Sequence, residues 1–235
     1  MSLILALDSS TDACSVALYA DGQLHALFEL AAKSHTQRLL PMVDELLQGN
    51  NLSLNNLDAI AFGRGPGSFT GLRICMGVVQ GLAFGARLPV IPVSTLEAMA
   101  VGYYRANPEV NLPVLVALDA RMEEVYWGLY GRKGDNVEQL SDEFVMRPEL
   151  LSEQDIIAQL SGQFVAIGPG WHYPAMQLLA ADKPVTDAQP KAEDMALIAA
   201  QVWTNGGAID VLDAQPVYLR DTISWQKRQR IRNPN

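Results

Sequence analysis

Two short runs of this sequence carry residue types suited to binding phosphate. The run DSST at residues 8–11 places Asp8, Ser10 and Thr11 directly after the apolar residues LILAL. The run GRGPGSFTGLR at residues 63–73 puts four glycines between an apolar run and a helical pattern. Backbone N–H groups of a glycine-rich turn at a helix start can hold an anion without a charged side chain. Asp8, Ser10, Thr11, Gly65 and Gly67 are therefore the candidate cofactor-binding residues, interpreted as remnants of phosphate-binding turns.

The glycine run fits neither of the two common nucleotide-binding motifs. A Walker loop needs a lysine after its last glycine, and no lysine occurs between Lys33 and Lys133. The glycine spacing also misses the dinucleotide-binding pattern GxGxxG. Two interpretations stay open: an anion site made by the backbone, or glycines that permit a tight turn and close approach of two backbones. Asp8 likewise belongs either to an acidic site or to a turn whose backbone it bonds.

The sequence contains none of three common side-chain motifs for hydrolysis or metal binding. His25, His35 and His172 form no HExxH or HxxxH pair. A proline, and not a glycine, stands two residues before Ser68, so no GxSxG nucleophile elbow is present. We predict no catalytic residue and no metal site.

The composition is that of a folded protein with an acidic surface. Of the 235 residues, 49% are apolar and 18% are charged, and the formal net charge is −9. Such a surface as a whole repels nucleic acid. A basic cluster near the end is either a solvated tail or a contact with RNA or an acidic partner; it contains Lys227, Arg228, Arg230 and Arg232.

The same composition favours a cytoplasmic protein without a membrane anchor. Cys14 and Cys75 lie in apolar segments without CxxC spacing, which is typical of reduced core cysteines. The apolar start reaches Asp8 too soon for a signal peptide, and no uninterrupted apolar run is long enough to cross a bilayer.

An internal repeat indicates a duplicated domain. LILALD and CSVALYA near the start return as LPVLVALD and a later Leu-Tyr pair, and a strand running into Gly-Pro-Gly occurs in both halves. The pattern of three strands, a helix and a strand predicts lobes at residues 1–106 and 107–212, the second including a helix in AEDMALIAAQVWTNGG. Residues 213–235 form a terminal segment expected to pack on the body until about Trp225. Asp119 and Arg121 are interpreted as an ion pair at the lobe junction.

Two such lobes, each opening with a strand meander whose first turn follows an aspartate, resemble one superfamily. The predicted fold class is α/β, with two duplicated ribonuclease H-like lobes as in the actin, sugar-kinase and Hsp70 ATPases. In that superfamily the nucleotide lies between the lobes.

Two helices of the first lobe carry apolar residues on two sides. In the second helix Leu72, Cys75, Met76, Val79 and Leu82 form the core stripe. Three glycines spaced four apart form another row, although each costs about 1 kcal/mol against alanine in a helix. Such a row lets another helix come unusually close. Helices that are apolar on two sides are either buried on both sides or pair with another subunit. We predict the second, with a partner interface made of Thr36, Leu40, Val43, Leu47, Ile74, Gly77, Val78, Gly81 and Gly85.

Several long runs together resemble the TsaB (YeaZ) family of tRNA threonylcarbamoyladenosine biosynthesis proteins. The matching runs are LALDSSTDACSVAL, SHTQRLLPMVDELL, GRGPGSFTGLRI, PVIPVSTL, ALDARMEEVYW and PVYLR. The related catalytic subunit TsaD holds a metal through an HxxxH pair. Alignment on Ile-Pro-Val puts Thr95 and Met99 at those two positions, with Glu97 between them. Neither residue supplies an imidazole ligand, so the resemblance implies a relative without the metal centre.

The resemblance further implies a scaffold subunit and not an enzyme. Such a subunit binds TsaD through a four-helix bundle, acts together with TsaE, and meets tRNA only through the complex. Alone, it forms a homodimer through the same surface. It needs no cofactor of its own, and ATP or ADP can lie at the partner interface. The alternatives are a stand-alone ATPase or small-molecule kinase of the superfamily, or a peptidase.

Overall fold

The structure is a computed structural model that describes residues 2–30, 34–134 and 136–220. Within these ranges the strands are β1 Leu3–Asp8, β2 Ala13–Ala20, β3 Gln23–Leu30, β4 Ala59–Gly65, β5 Val90–Ser94, β6 Val114–Arg121, β7 Glu124–Lys133, β8 Asn136–Gln139, β9 Phe144–Met146 and β10 Val165–Ile167. The α-helices are α1 His35–Gly49, α2 Phe69–Ala86, α3 Thr95–Ala106, α4 Asp155–Leu160, α5 Pro174–Gln177 and α6 Ala192–Thr204.

The first sheet has the strand order β3-β2-β1-β4-β5. β1, β2 and β3 form an antiparallel meander, and β4 pairs parallel with both β1 and β5. β1 is an apolar run that is buried almost throughout, as expected for a strand covered on both faces. Asp8 stands at its carboxyl end, opposite Ser15 of β2.

The second sheet repeats this arrangement with the order β10-β6-β7-β8, and β9 also pairs with β7. β6 and β7 are antiparallel, whereas β10 is parallel to β6, as β4 is to β1. The predicted duplicated α/β fold is thereby confirmed.

Helices and sheets alternate in five layers. α1 and α2 cover the outer face of the first sheet, and α4 and α5 lie on the outer face of the second. Between the sheets lie α3 and α6, and each packs on the sheet of the other repeat. Met99 and Tyr104 of α3 contact the cluster on the second sheet, whereas Met195 of α6 packs on the first. The boundaries predicted at residues 106 and 212 stay a prediction, but each repeat gives its last helix to the other sheet.

One predicted strand is two strands in the structure. The sequence VEQLSDEFVM forms β8 and β9, which pair with successive parts of β7. Between the two strands, the backbone N–H groups of Leu140 and Ser141 both donate to the carbonyl of Leu129. The Ser141 hydroxyl accepts a hydrogen bond from Leu129 N at 3.0 Å. Such an interruption re-aims a side chain, here that of Glu143, which turns toward the first lobe.

A charged cluster ties α3 to α6. Asp194 is 2% exposed, and Arg105 donates to it at 3.0 Å and to Glu193 at 2.6 Å. Burial raises the pKa of the Asp194 carboxyl to about 6, although the Arg105 guanidinium opposes this shift. The buried carboxylate therefore depends on Arg105 for its partner.

Replacing Arg105 by alanine should destabilise the protein more at high pH than at low pH. The change leaves Asp194 charged and without that guanidinium above its pKa, whereas protonation near pH 5 removes the buried charge. Because the Arg105 side chain is 44% exposed, we expect a loss of about 1–2 kcal/mol at pH 8. Urea unfolding of both proteins at pH 5 and pH 8 measures this loss of stability. An equal loss at the two pH values would contradict the role assigned to Arg105 as the partner of Asp194.

Candidate functional site

Asp8 bonds the turn that follows its own strand. It is fully buried, and its Oδ2 accepts hydrogen bonds from Ser10 N at 3.2 Å and Ser10 Oγ at 2.9 Å. Thr11 Oγ1 accepts from Ala13 N at 3.2 Å in the same turn. Among the described residues Oδ1 has no hydrogen-bond partner, and a Cβ at Gly63 would lie 2.0 Å from it. Burial raises the pKa of the Asp8 carboxyl to about 7, while the two bonds from Ser10 lower it.

The glycine-rich loop packs directly on this turn. Ser68 N donates to the carbonyl of Ser10 at 2.6 Å, and Ser9 Oγ donates to the carbonyl of Gly71 at 2.9 Å. A Cβ at Gly67 would lie 2.5 Å from Ser10 O, and one at Gly71 would lie 1.9 Å from Ser9 O. Only glycine permits such an approach at these two positions.

This geometry favours one of the two interpretations of the glycine run. Gly65 has a φ of +102°, and a Cβ there would meet both Leu72 and the carbonyl of Val217. The α2 start is capped internally, because Ser68 Oγ accepts a hydrogen bond from Gly71 N at 3.3 Å. Of the candidate phosphate residues, Ser10, Gly65 and Gly67 thus come together, and their backbones pack against other parts of this chain. The glycines serve a tight turn and the close approach of two backbones.

A buried polar cluster that the sequence analysis missed joins the lobes near this loop. The Glu143 side chain is 5% exposed and accepts hydrogen bonds from Ser94 Oγ and, at 2.9 Å, from Tyr130 OH. Arg64 completes the cluster at 3.3 Å from Glu143. Burial and the nearby Glu143 raise the pKa of Glu97, and Arg64 opposes that shift. Glu143 lay in a run predicted as one strand, next to Asp142, and no sequence pattern distinguishes it from a solvent-exposed acidic residue.

The two positions that align with the metal histidines of TsaD have packing roles. Thr95 is fully buried and donates a hydrogen bond to the carbonyl of Pro66, and Met99 belongs to the core between α3 and the second sheet. Across residues 2–30, 34–134 and 136–220, no three His, Cys, Asp or Glu side chains gather as metal ligands would. The predicted pair of Asp119 and Arg121 forms, at 3.1 Å.

A groove of about 720 Å³ opens between α3, α6 and the β7–β8 hairpin. Two of the polar side chains that line it, those of Arg132 and Gln201, make hydrogen bonds within the chain. Arg132 donates to the carbonyls of Tyr104 and Pro108 at 2.9 Å, and Gln201 donates to Asn136 at 2.9 Å. These contacts join the end of α3 and the α6 helix to the second sheet.

The glycine row of α2 faces outward. Gly77, Gly81 and Gly85 are exposed, and a Cβ added at any of them would meet no atom within 4 Å. Ile74 and Val78 beside them are half-buried, and Phe84 is 70% exposed. An exposed helix face made of glycine and apolar side chains is suited to close packing with another protein.

The prediction for α1 needs a correction. Thr36 and Leu40 are exposed, the latter by 50%, but Val43 and Leu47 are 2% and 5% exposed and belong to the core on the first sheet. Over the last half of α1, the residues of both predicted apolar stripes face the core. The outward surface formed by Thr36, Leu40, Ile74, Gly77, Val78, Gly81 and Gly85 is called the docking face below.

α2 also qualifies, by length and composition, as a helix able to cross a membrane, with 33% of it buried in the protein. The helix contains Arg73 and Gln80, so it is not the uninterrupted apolar run whose absence the sequence predicts. Its core side is built into the first lobe, since Cys75 and Val79 lie in the cluster on the first sheet and Leu72 is buried. The large exposed apolar side chains of α2 are Phe69 and Phe84, at 47% and 70% exposed.

The fold and the site define the class of protein: a two-lobed α/β protein with the duplicated fold of the actin, sugar-kinase and Hsp70 ATPase superfamily. A family model described as TsaD, tRNA N6-adenosine threonylcarbamoyltransferase, matches residues 27–185. The tRNA threonylcarbamoyladenosine biosynthesis protein TsaB of Escherichia coli K12 is 47% identical over 95% of this chain and 97% of that protein. The Haemophilus influenzae TsaB is 43% identical over 95% of this chain and 96% of that protein.

Solved structures agree with these relatives. YeaZ from Pseudomonas aeruginosa superposes with a TM-score of 0.81 and 42% identity, covering 93% of this chain and 100% of that one. A second P. aeruginosa structure, of a protein described as similar to the peptidase YeaZ, gives a TM-score of 0.83 and 43% identity over 94% of this chain and 100% of that one. The chain belongs to the TsaB (YeaZ) family.

Replacing Gly71 by alanine should destabilise the first lobe. The new Cβ would lie 1.9 Å from the carbonyl oxygen of Ser9, so one of two backbones must move, at a cost of about 2 kcal/mol or more. The matched control is Gly81→Ala in the same helix, which has open space and should stabilise the protein by about 1 kcal/mol. Chemical denaturation measures both changes, and a shift of the same sign in the two variants would refute the close-approach assignment.

Replacing Asp8 by asparagine should flatten the pH dependence of stability. The folded protein holds the Asp8 proton up to about pH 7, whereas the unfolded chain loses it near pH 4, so Asp8 makes stability fall as pH rises between these values. The neutral asparagine carries no such penalty and should gain up to about 4 kcal/mol relative to the natural chain between pH 4 and pH 8. The free energy of unfolding of both proteins is measured as a function of pH. If the two curves run parallel, Asp8 is ionised in the folded protein and the prediction is wrong.

Proposed function

We propose that this protein is a non-catalytic subunit in the biosynthesis of threonylcarbamoyladenosine in tRNA. It binds the catalytic subunit TsaD through the docking face, and TsaE joins the assembly. TsaD then transfers the threonylcarbamoyl group to the adenosine next to the anticodon of ANN-decoding tRNAs. The names of the relatives and the match to the TsaD family model support a role in this pathway.

The outward glycine row is the observation that carries the proposal. Three exposed glycines in one helix cost stability, and nothing in the described chain uses the space above them. A second helix that packs closely on α2 explains why these three positions are glycine. The exposed α1 residues Thr36 and Leu40 lie on the neighbouring helix and widen the same surface.

The geometry of the cleft supports a scaffold role over catalysis. The turn after β1 and the glycine-rich loop pack closely against each other. Thr95 and Met99 pack within the chain at the positions where TsaD would have metal ligands. A stand-alone ATPase or kinase would need an anion site in these turns. ATP or ADP in the complex is expected at the interface with TsaD.

The remaining parts of the proposal concern assembly and location. In the absence of TsaD, two copies pair through the docking face, so the homodimer and the TsaD complex exclude each other. Contact with tRNA is indirect, through the complex, and the basic residues between 227 and 232 lie outside the described residues. A cytoplasmic location agrees with two buried, unpaired cysteines, Cys14 and Cys75.

Replacing Gly81 by leucine should abolish assembly while it stabilises the free chain. The leucine fills the space that a partner helix needs, so we expect binding to TsaD and self-association to weaken by roughly a hundredfold or more. The same change should raise the free energy of unfolding by about 1 kcal/mol, because leucine is the better helix former. Titration calorimetry with purified TsaD, sedimentation of the free chain and chemical denaturation measure the three effects.

The matched control is Gly49→Leu, at the end of α1. It has the same open surroundings as Gly81 but lies outside the glycine row. This variant should bind TsaD as the natural chain does and support modification of tRNA in a mixture of TsaD, TsaE, threonylcarbamoyl adenylate and ATP. If Gly81→Leu binds and supports modification equally well, the docking face is assigned wrongly.

A further inference from the structure

Residues 215–220 cross from the first lobe to the second. At the first lobe they lie on the glycine-rich loop: Val217 N donates to the carbonyl of Arg64 at 2.8 Å. The carbonyl oxygen of Val217 lies 3.1 Å from the position of a Cβ at Gly65. A side chain at Gly65 would therefore be tight against this segment, and the φ of +102° there also favours glycine.

A second anchor lies at the start of α2. The Tyr218 ring is 5.5 Å from that of Phe69, and its hydroxyl accepts a hydrogen bond from Arg73 Nε at 3.2 Å. The Arg73 guanidinium in turn lies 3.8 Å above the Phe69 ring. This stacked group fixes the direction in which the segment leaves the first lobe.

The third anchor is in the second lobe, at the turn between β6 and β7. Arg220 donates to Glu124 through Nε at 3.0 Å and also through Nη2, and Nη2 reaches the carbonyl of Ala120 at 3.2 Å. The side chains of Arg220 and Glu124 are 23% and 29% exposed. A partly buried pair with several bonds holds its geometry better than an exposed ion pair.

The first and third of these anchors lie beside the carboxyl ends of strands, one in each lobe. Arg64 lies at the carboxyl end of β4, and the β6–β7 turn follows the carboxyl end of β6. In open α/β sheets the ligand crevice lies outside the carboxyl ends of the strands. Residues 215–220 bridge that crevice between the two lobes. The Arg64 side chain adds a second bridge, through Glu143 of the second lobe.

We propose that residues 215–220 form an interlobe latch, which holds the two lobes at a fixed angle and keeps the crevice between them closed. Hinge motion is the ordinary behaviour of two lobes joined by a modest interface. Here the chain supplies its own cross-link, with Arg220 as the positioning residue at the far lobe. This inference does not depend on the docking face or on TsaD.

Releasing Arg220 should let the lobes open. Spin labels on Asn55→Cys in the first lobe and Glu153→Cys in the second report the distance between lobes; both sites are exposed, whereas Cys14 and Cys75 are buried. Labelled protein is diluted with unlabelled chain, so that distances between two copies do not contribute. The natural sequence should give one narrow distance distribution. Arg220→Ala and Glu124→Ala should each broaden it and extend it to longer distances, and the exchange of the Val217 amide should quicken roughly tenfold or more.

The matched control is Arg121→Ala, in the same turn. Its guanidinium is 79% exposed and pairs with Asp119, and the latch uses only its backbone carbonyl. This variant should keep the narrow distribution. Thermal unfolding of all variants checks that they remain folded. If Arg220→Ala and Glu124→Ala both keep the narrow distribution, even with faster exchange at Val217, the segment frays locally and the latch is refuted.

Discussion

The close contact between the backbone of Ser9 and Ser10 and that of residues 67–71 determines where α2 begins on the outer face of the first lobe. Two glycines and a capping serine bring the loop after β4 onto the turn after β1. α2 begins at this contact, so its direction and rotation follow from it. With Leu72, Cys75 and Val79 turned into the core, the glycine row is left on the outside.

Glycine therefore has two opposite roles within one helix. Gly71 is glycine because a backbone of this chain already occupies the space of its side chain. Gly77, Gly81 and Gly85 have empty space around them, so the fold gives no reason for their small size. The close approach of a backbone within the chain explains the first role, and we propose that an approaching partner surface explains the second. The sequence alone does not separate them, because both kinds of glycine precede or interrupt the same helical pattern.

Much of the architecture could be predicted because it rests on local patterns. The strand meander, the helix after Ser34 and the repeat of β1 in β6 follow from apolar runs, turn residues and period. Tertiary packing determined what could not be predicted. Val43 and Leu47 look like a second stripe on a helical wheel, yet the sheet buries both. The interruption between β8 and β9, and the inward turn of Glu143, depend on a contact with Arg64 and Ser94, far away in the sequence.

The same duplicated fold here has a cleft bridged by its own side chains and, we propose, an outer face that binds a partner. Glu143 and the latch hold the lobes together, and the docking face contains three exposed glycines that contacts within the described chain do not explain. The most direct test of this account is hydrogen exchange of the protein with and without TsaD. The account predicts that TsaD slows exchange in α1 and α2 and leaves the layer of α4 and α5 unchanged. Protection centred on α4 and α5, with α2 unaffected, would contradict it.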